Sequence, residues 1–192
     1  MGLPKISLAD QNARPDFVNP ASIFDLLNFR VSELIGVSGS LVTRICESEY
    51  GITREAWQFI AMLAQLGPTS PSDLAARTTV DRSQTSKTLR GLITKGLLER
   101  QRVPGDGRRA CVLLTTEGQR LYNDLFPRVV QLHHAVLADL STEDRRVLAS
   151  TLSVLQNRAL TVARQYPTAA GQGRRVGGAR TPWTTALTQV AP

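Results

Sequence analysis

The strongest constraint on this chain is a change of period between residues 71 and 116. Ser70 or Ser72 opens a short helix over 71–78, with Leu74 and Ala75 facing inward. Asp81 can cap a second helix running to about Lys95, where Gly96 ends it. The period then changes. Leu97, Leu98 and Val103 lead into Pro104-Gly105-Asp106-Gly107, a turn by its residue types, and Ala110 to Thr115 follow as an apolar run rich in β-formers. Helix, helix, strand, turn, strand is the order of a winged helix-turn-helix.

Long amphipathic segments surround this unit. Ile23, Leu27, Val31, Leu34, Leu41 and Ile45 recur at three-and-four spacing, which predicts a helix over 21–50 with a bend near Gly36 and Gly39. Gly51 closes it and Thr53 can cap a helix over 54–66 carrying Trp57, Ile60 and Leu63. Thr116 and Glu117 open a helix to about 139, which Pro127 should kink unless it sits on a first turn. Ser141 and Asp144 form a capping-box-like start for a last helix over 142–165. The expected fold is mainly α with a small β-hairpin wing. Residues 1–19 form an N-terminal arm, 20–50 and 116–166 a helical dimerisation region, 51–115 the winged helix-turn-helix, and 167–192 a flexible basic tail. Three long helices would leave wide apolar stripes around so small a winged unit, and a second copy of the chain is the simplest cover.

Charge narrows the function. The formal net charge is +7. From Arg77 to Arg109 there are nine basic and three acidic residues, a net +6, so almost the whole excess sits on the winged unit. A local excess of this kind fits a phosphate backbone better than a generally solvated surface. The second helix of the unit turns Arg82, Ser83, Gln84, Ser86, Lys87 and Arg90 outward and Thr85, Leu89 and Leu92 inward. Hydroxyls and an amide near a helix N-terminus suit base edges in the major groove, and Lys or Arg further along reach phosphates or guanine. Arg108 and Arg109 follow the turn, where a wing enters the minor groove, and Asp106 can orient Arg108.

These residues carry a family resemblance. The run SPSDLAARTTVDRSQTSKTLRGLITKGLLERQRVPGDGRRACVLLTTEGQ resembles the DNA-binding core of MarR-family regulators, and YGITREAW resembles the opening of that family's second helix. The family's wing pattern is matched by Asp106, Arg108, Leu114, Thr115 and Gly118. The resemblance spans about residues 20–165. It implies a homodimer on a pseudo-palindromic operator in double-stranded DNA, with repression relieved by a small ligand, often a phenolic or other aromatic anion. That ligand would lie between the dimerisation helices and the winged domain. Phe24, Asn28, Arg30, Val31, Trp57, Ile60 and His133 are the candidate lining, with Arg30 either facing a carboxylate or bridging subunits.

The remaining classes are weak. The cysteines, Cys46 and Cys111, give neither a disulfide framework nor a zinc spacing, and both read as core side chains, although a thiol-sensing repressor is an alternative. Two adjacent histidines, His133 and His134, do not make a metal site. No nucleophile–base pair or phosphate loop suggests an enzyme, and no cofactor is expected. With neither a signal peptide nor an apolar run of about 20 residues, the chain is expected to be cytoplasmic and away from membranes. A DNA-architectural protein without a ligand is the other alternative.

Overall fold

A computed structural model describes residues 14–78, 82–103 and 106–165, with the side chains of Arg82, Val103 and Asp106–Arg109 outside the described set. Six helices and one hairpin follow in order: α1 (Leu27–Tyr50), α2 (Arg54–Leu66), α3 (Pro71–Ala76), α4 (Arg82–Thr94), β1 (Leu98–Val103), β2 (Asp106–Leu114), α5 (Thr116–Val136) and α6 (Thr142–Gln165). The mainly α fold with a two-stranded antiparallel wing is the one expected. Residues 1–13 of the expected arm over 1–19, the tail over 167–192, the Asp81 cap and the expected turn at Pro104-Gly105 lie outside the described residues.

Local chemistry sets most boundaries. Thr53 accepts the Ala56 amide at 3.2 Å and Ser70 accepts the Asp73 amide at 3.1 Å, with Pro71 beginning α3. Ser141 and Asp144 satisfy each other in a capping box, the Asp144 amide donating to the Ser141 hydroxyl at 3.1 Å and the Ser141 amide to the Asp144 carboxylate at 3.3 Å. Gly51 ends α1 at φ 60° and Gly96 follows α4 at φ 70°, conformations in which a Cβ would be strained.

The first helix starts later than its apolar spacing suggests. Residues 23–25 form a 3-10 turn, Leu26 is extended, and α1 begins at Leu27. The Asp25 carboxylate accounts for the difference. It accepts the backbone amides of Asp16, Ala21 and Ser22 at 3.0, 3.2 and 2.9 Å and the Ser22 hydroxyl at 2.8 Å, folding residues 16–25 into a loop. These donors, the Asp16 amide first, hold the Asp25 carboxyl below its ordinary range. Gly36 and Gly39 lie within one uninterrupted helix. A Cβ on Gly39 would overlap the Arg54 guanidinium, so that glycine makes room for a neighbour. Pro127 lies inside α5 rather than on its first turn, and α5 stops at Val136, three residues early.

The core lies at the centre of the winged unit. Phe59, Ile60, Leu74, Leu92, Leu98, Val112 and Leu125 are completely or almost completely buried, drawing α2, α3, α4, both strands and α5 together. Each contributes roughly 1.5–3 kcal/mol of apolar burial. Thr69 adds a short third edge to the hairpin by exchanging backbone hydrogen bonds with Val112 at 3.0 and 2.9 Å. An aromatic ladder, Trp57 on Tyr122 on Phe126 with centroids 5.8 and 5.2 Å apart, ties α2 to α5. Near the end of α1, Arg128 pairs with Glu49 and the Tyr50 hydroxyl donates to Asp124 at 2.6 Å. By contrast, α6 buries none of its 24 residues.

Candidate nucleic-acid interface and adjoining cleft

The second helix of the motif, α4, separates its faces cleanly. Thr85, Leu89 and Leu92 are buried, which fixes the helix on the core. Ser83, Gln84, Ser86, Lys87 and Arg90 are exposed. Residues 83, 86, 87 and 90 follow the three-and-four spacing of one helix face, so Ser83, Ser86, Lys87 and Arg90 form a polar and basic stripe. The Arg90 Nε donates to the Ser86 carbonyl at 3.3 Å, holding its stem along the helix. The backbone of Arg82 opens α4, and that of Arg108 and Arg109 belongs to β2; their side chains are outside the described set.

Hairpin pairing runs from Leu98 opposite Leu114 to Arg102 opposite Ala110, with a register irregularity between Arg102 and Val103. Opposed residues share a face, so Arg100 and Arg102 lie on the face of Leu98 and Val112 but beyond the buried base. The sequence counts these arginines in the charge excess without giving them a place; the register supplies it. Lys95 leaves the basic set in the other direction. Its ammonium donates to the Gly51 carbonyl at 2.6 Å, at the end of α1, where a cation also complements the helix dipole.

Above the winged unit a cleft of about 370 Å³ opens between three helices. From α1 come Ile35, Ser38, Gly39 and Val42, from α2 Arg54, Trp57 and Gln58, and from α5 Val129, Leu132, His133 and Val136. Of the lining expected from sequence, Trp57 and His133 are there. Ile60 is fully buried in the core, and Phe24, Asn28, Arg30 and Val31 do not line the cleft. They belong to the turn before α1 and its first turns, whereas the cleft opens against the middle of the helix. Phe24 packs edge-on against Phe29 with centroids 5.3 Å apart, and Arg30 pairs with Glu33 at 3.3 Å. The cation of the cleft is Arg54. It is half-buried, and among the described residues no ion pair engages it. One sequence signal pointed there: an arginine on the first turn of a helix opposes the helix dipole.

Cys46 is fully buried on α1, and burial pushes its thiol up to about 11, so it stays protonated and unreactive at neutral pH. Cys111 is half-buried, its thiol 3.6 Å from the Gln101 carbonyl. Neither placement favours a thiol sensor. Among the described residues no helix is long and apolar enough to cross a membrane.

Comparison with known proteins agrees with this architecture. Residues 50–109 match the profile of the MarR family. The chain is 30% identical over 108 residues to the HTH-type transcriptional regulator FarR of Neisseria gonorrhoeae, covering 56% of this chain and 74% of that one. It is 28% identical over 127 residues to YdgJ of Bacillus subtilis (strain 168), an uncharacterized HTH-type transcriptional regulator, covering 66% of this chain and 73% of that one. Among solved structures, a MarR transcriptional regulator from Methanosarcina mazei Go1 superposes with a TM-score of 0.61 at 20% identity, covering 69% of this chain and 98% of that one.

Proposed function

This chain belongs to the MarR family of DNA-binding transcriptional regulators, and from that premise we propose that it is a homodimeric repressor released from a pseudo-palindromic operator by a small aromatic anion. Ser83 and Ser86 on the α4 stripe, with Gln84 beside it at the N-terminal end of the helix, read base edges, while Lys87 and Arg90 hold phosphates. The wing arginines reach the flanking minor groove.

The observation that carries the dimer is α6. A 24-residue helix that buries none of its residues leaves Val147, Leu148, Leu152 and Val154 exposed, and α1 exposes Leu34 and Ile35 as well. So much apolar surface on long helices at the ends of the fold fits an interface between two copies. Residues 20–50 and 116–166 then form the dimerisation region around the winged unit over 51–115. In sedimentation velocity at micromolar concentration the intact chain should run as a dimer. A chain ending at Ser141 should lose only the helical signal of α6 and run as a monomer. A monomeric intact chain would refute the dimer.

The cleft between α1, α2 and α5 supports the ligand reading. Its walls are mostly apolar and Arg54 is its cation, a combination that favours a carboxylate on an apolar body. We expect 4-hydroxybenzoate to raise the melting temperature and weaken operator binding, and its neutral amide to do neither. Arg54→Met should weaken the carboxylate response by about tenfold or more, as loss of a charge-assisted hydrogen bond implies. A repressor that no carboxylate of this kind shifts would instead be a DNA-architectural protein.

A further inference from the structure

The C-terminal end of the recognition helix α4 is gripped by both long walls of the cleft. On one side, the Lys95 ammonium donates to the Gly51 carbonyl at 2.6 Å, immediately after α1. Gly51 and Ile52 turn their amides back to the Cys46 carbonyl, so the carbonyl that Lys95 takes belongs to a closed helix end. On the other side, the Thr115 hydroxyl donates to the Gly96 carbonyl at 2.7 Å and the Thr115 amide to the Leu97 carbonyl at 3.1 Å. Thr115 is also the N-cap of α5, accepting the Gly118 amide at 3.0 Å. The walls are joined to each other by the Glu49–Arg128 pair and by the Tyr50 hydroxyl donating to Asp124.

We infer that Lys95 is a positioning residue for DNA recognition: it ties the end of α4 to α1 and so fixes where each recognition helix stands in the dimer. The inference rests on the dimeric DNA-binding reading above. Lys95 lies in the most basic stretch of the chain, yet its charge faces a carbonyl at a helix end, so its expected effect differs from that of a phosphate contact. Each α4 is tied to an α1 in the dimerisation region, so the tie governs the separation of the two recognition helices. That separation sets half-site spacing, which for paired recognition helices is about one DNA turn. A ligand that spreads α1 from α5 acts on the same end of α4.

The test uses the full chain and a duplex enriched from a randomised library by the wild-type protein, together with duplexes carrying one base pair more or fewer between the half-sites. Lys95→Met keeps the stem and removes the ammonium; Lys95→Arg keeps a donor. For Lys95→Met we expect discrimination against altered spacing to fall by roughly three- to tenfold, the scale of one solvent-exposed hydrogen bond. The salt slope should stay at the wild-type value, and Lys95→Arg should restore discrimination. A slope reduced by about two, one for each Lys95 of the dimer, would make Lys95 a phosphate contact and overturn the inference. So would unchanged spacing preference. Hydrogen exchange without DNA gives an independent readout: Lys95→Met should speed exchange at Gly96 and Leu97, and unchanged protection would also overturn it. If the wild type enriches no duplex, the DNA-binding reading fails, while exchange still decides the tie.

Discussion

Replacing Gly118 by valine should leave the chain largely unfolded at 37 °C, and replacing it by alanine should cost about 3 kcal/mol or more. Gly118 is buried in the first turn of α5, packed directly on the strand side of the winged unit. Any Cβ there overlaps the Leu97 carbonyl oxygen, comes within 3.1 Å of the Leu97 carbonyl carbon and lies 3.2 Å from Leu114 Cδ2. That backbone has little freedom to yield, because the same carbonyl accepts the Thr115 amide at 3.1 Å. Lifting α5 would strain that bond and the Thr115 hydroxyl bond to Gly96 together, each contributing about 1 kcal/mol. Against a total stability of roughly 5–15 kcal/mol, the combined loss is severe. Gly91 provides the contrast. It lies within α4 with nothing within 4 Å of its Cβ position, and Gly91→Ala should stabilise by up to about 1 kcal/mol. Urea denaturation followed by circular dichroism compares the two. A Gly118→Ala variant within about 0.5 kcal/mol of wild type would show that α5 does not press on Leu97 as described.

The second large effect is on DNA. Replacing Lys87, Arg90, Arg108 and Arg109 together by alanine should lower duplex affinity by about a thousandfold or more near 0.15 M salt. It should also reduce the slope of log K against log salt by roughly seven, close to one for each of the cations that the two copies together lose. Lys87 and Arg90 are exposed, while Thr85, Leu89 and Leu92 anchor the opposite side of the helix. The melting temperature should therefore move little. Substituting Ser83 and Gln84 should act differently, flattening preference among sequences while leaving the slope near wild type. A quadruple variant with wild-type slope would remove these four residues from the interface.

What was legible in the sequence was written in local chemistry. Thr53, Ser70 and Ser141 cap their helices through side-chain bonds spanning three residues, which a sequence displays directly. The division of α4 into buried Thr85, Leu89 and Leu92 and an exposed polar stripe follows from helical periodicity alone. The two strands of the hairpin follow from the change of period. Features set by distant partners were not legible. The start of α1 depends on Asp25 gathering amides from as far back as Asp16. The cation of the cleft is Arg54 rather than Arg30, because Gly39 opens space for it across the helix pair. Lys95 counts as one more positive charge until its bond to Gly51, 44 residues away, gives it another task. Thr69 joins the hairpin through two backbone bonds that no residue type announces.

The central claim is that two copies of this chain hold one duplex through paired recognition helices and wings. Its most direct measurement is the binding of the full chain to a library-enriched duplex, footprinted and titrated with salt. Two protected half-sites about one helical turn apart are expected, with affinity falling steeply as salt rises. A single protected half-site, or affinity indifferent to salt, would contradict it.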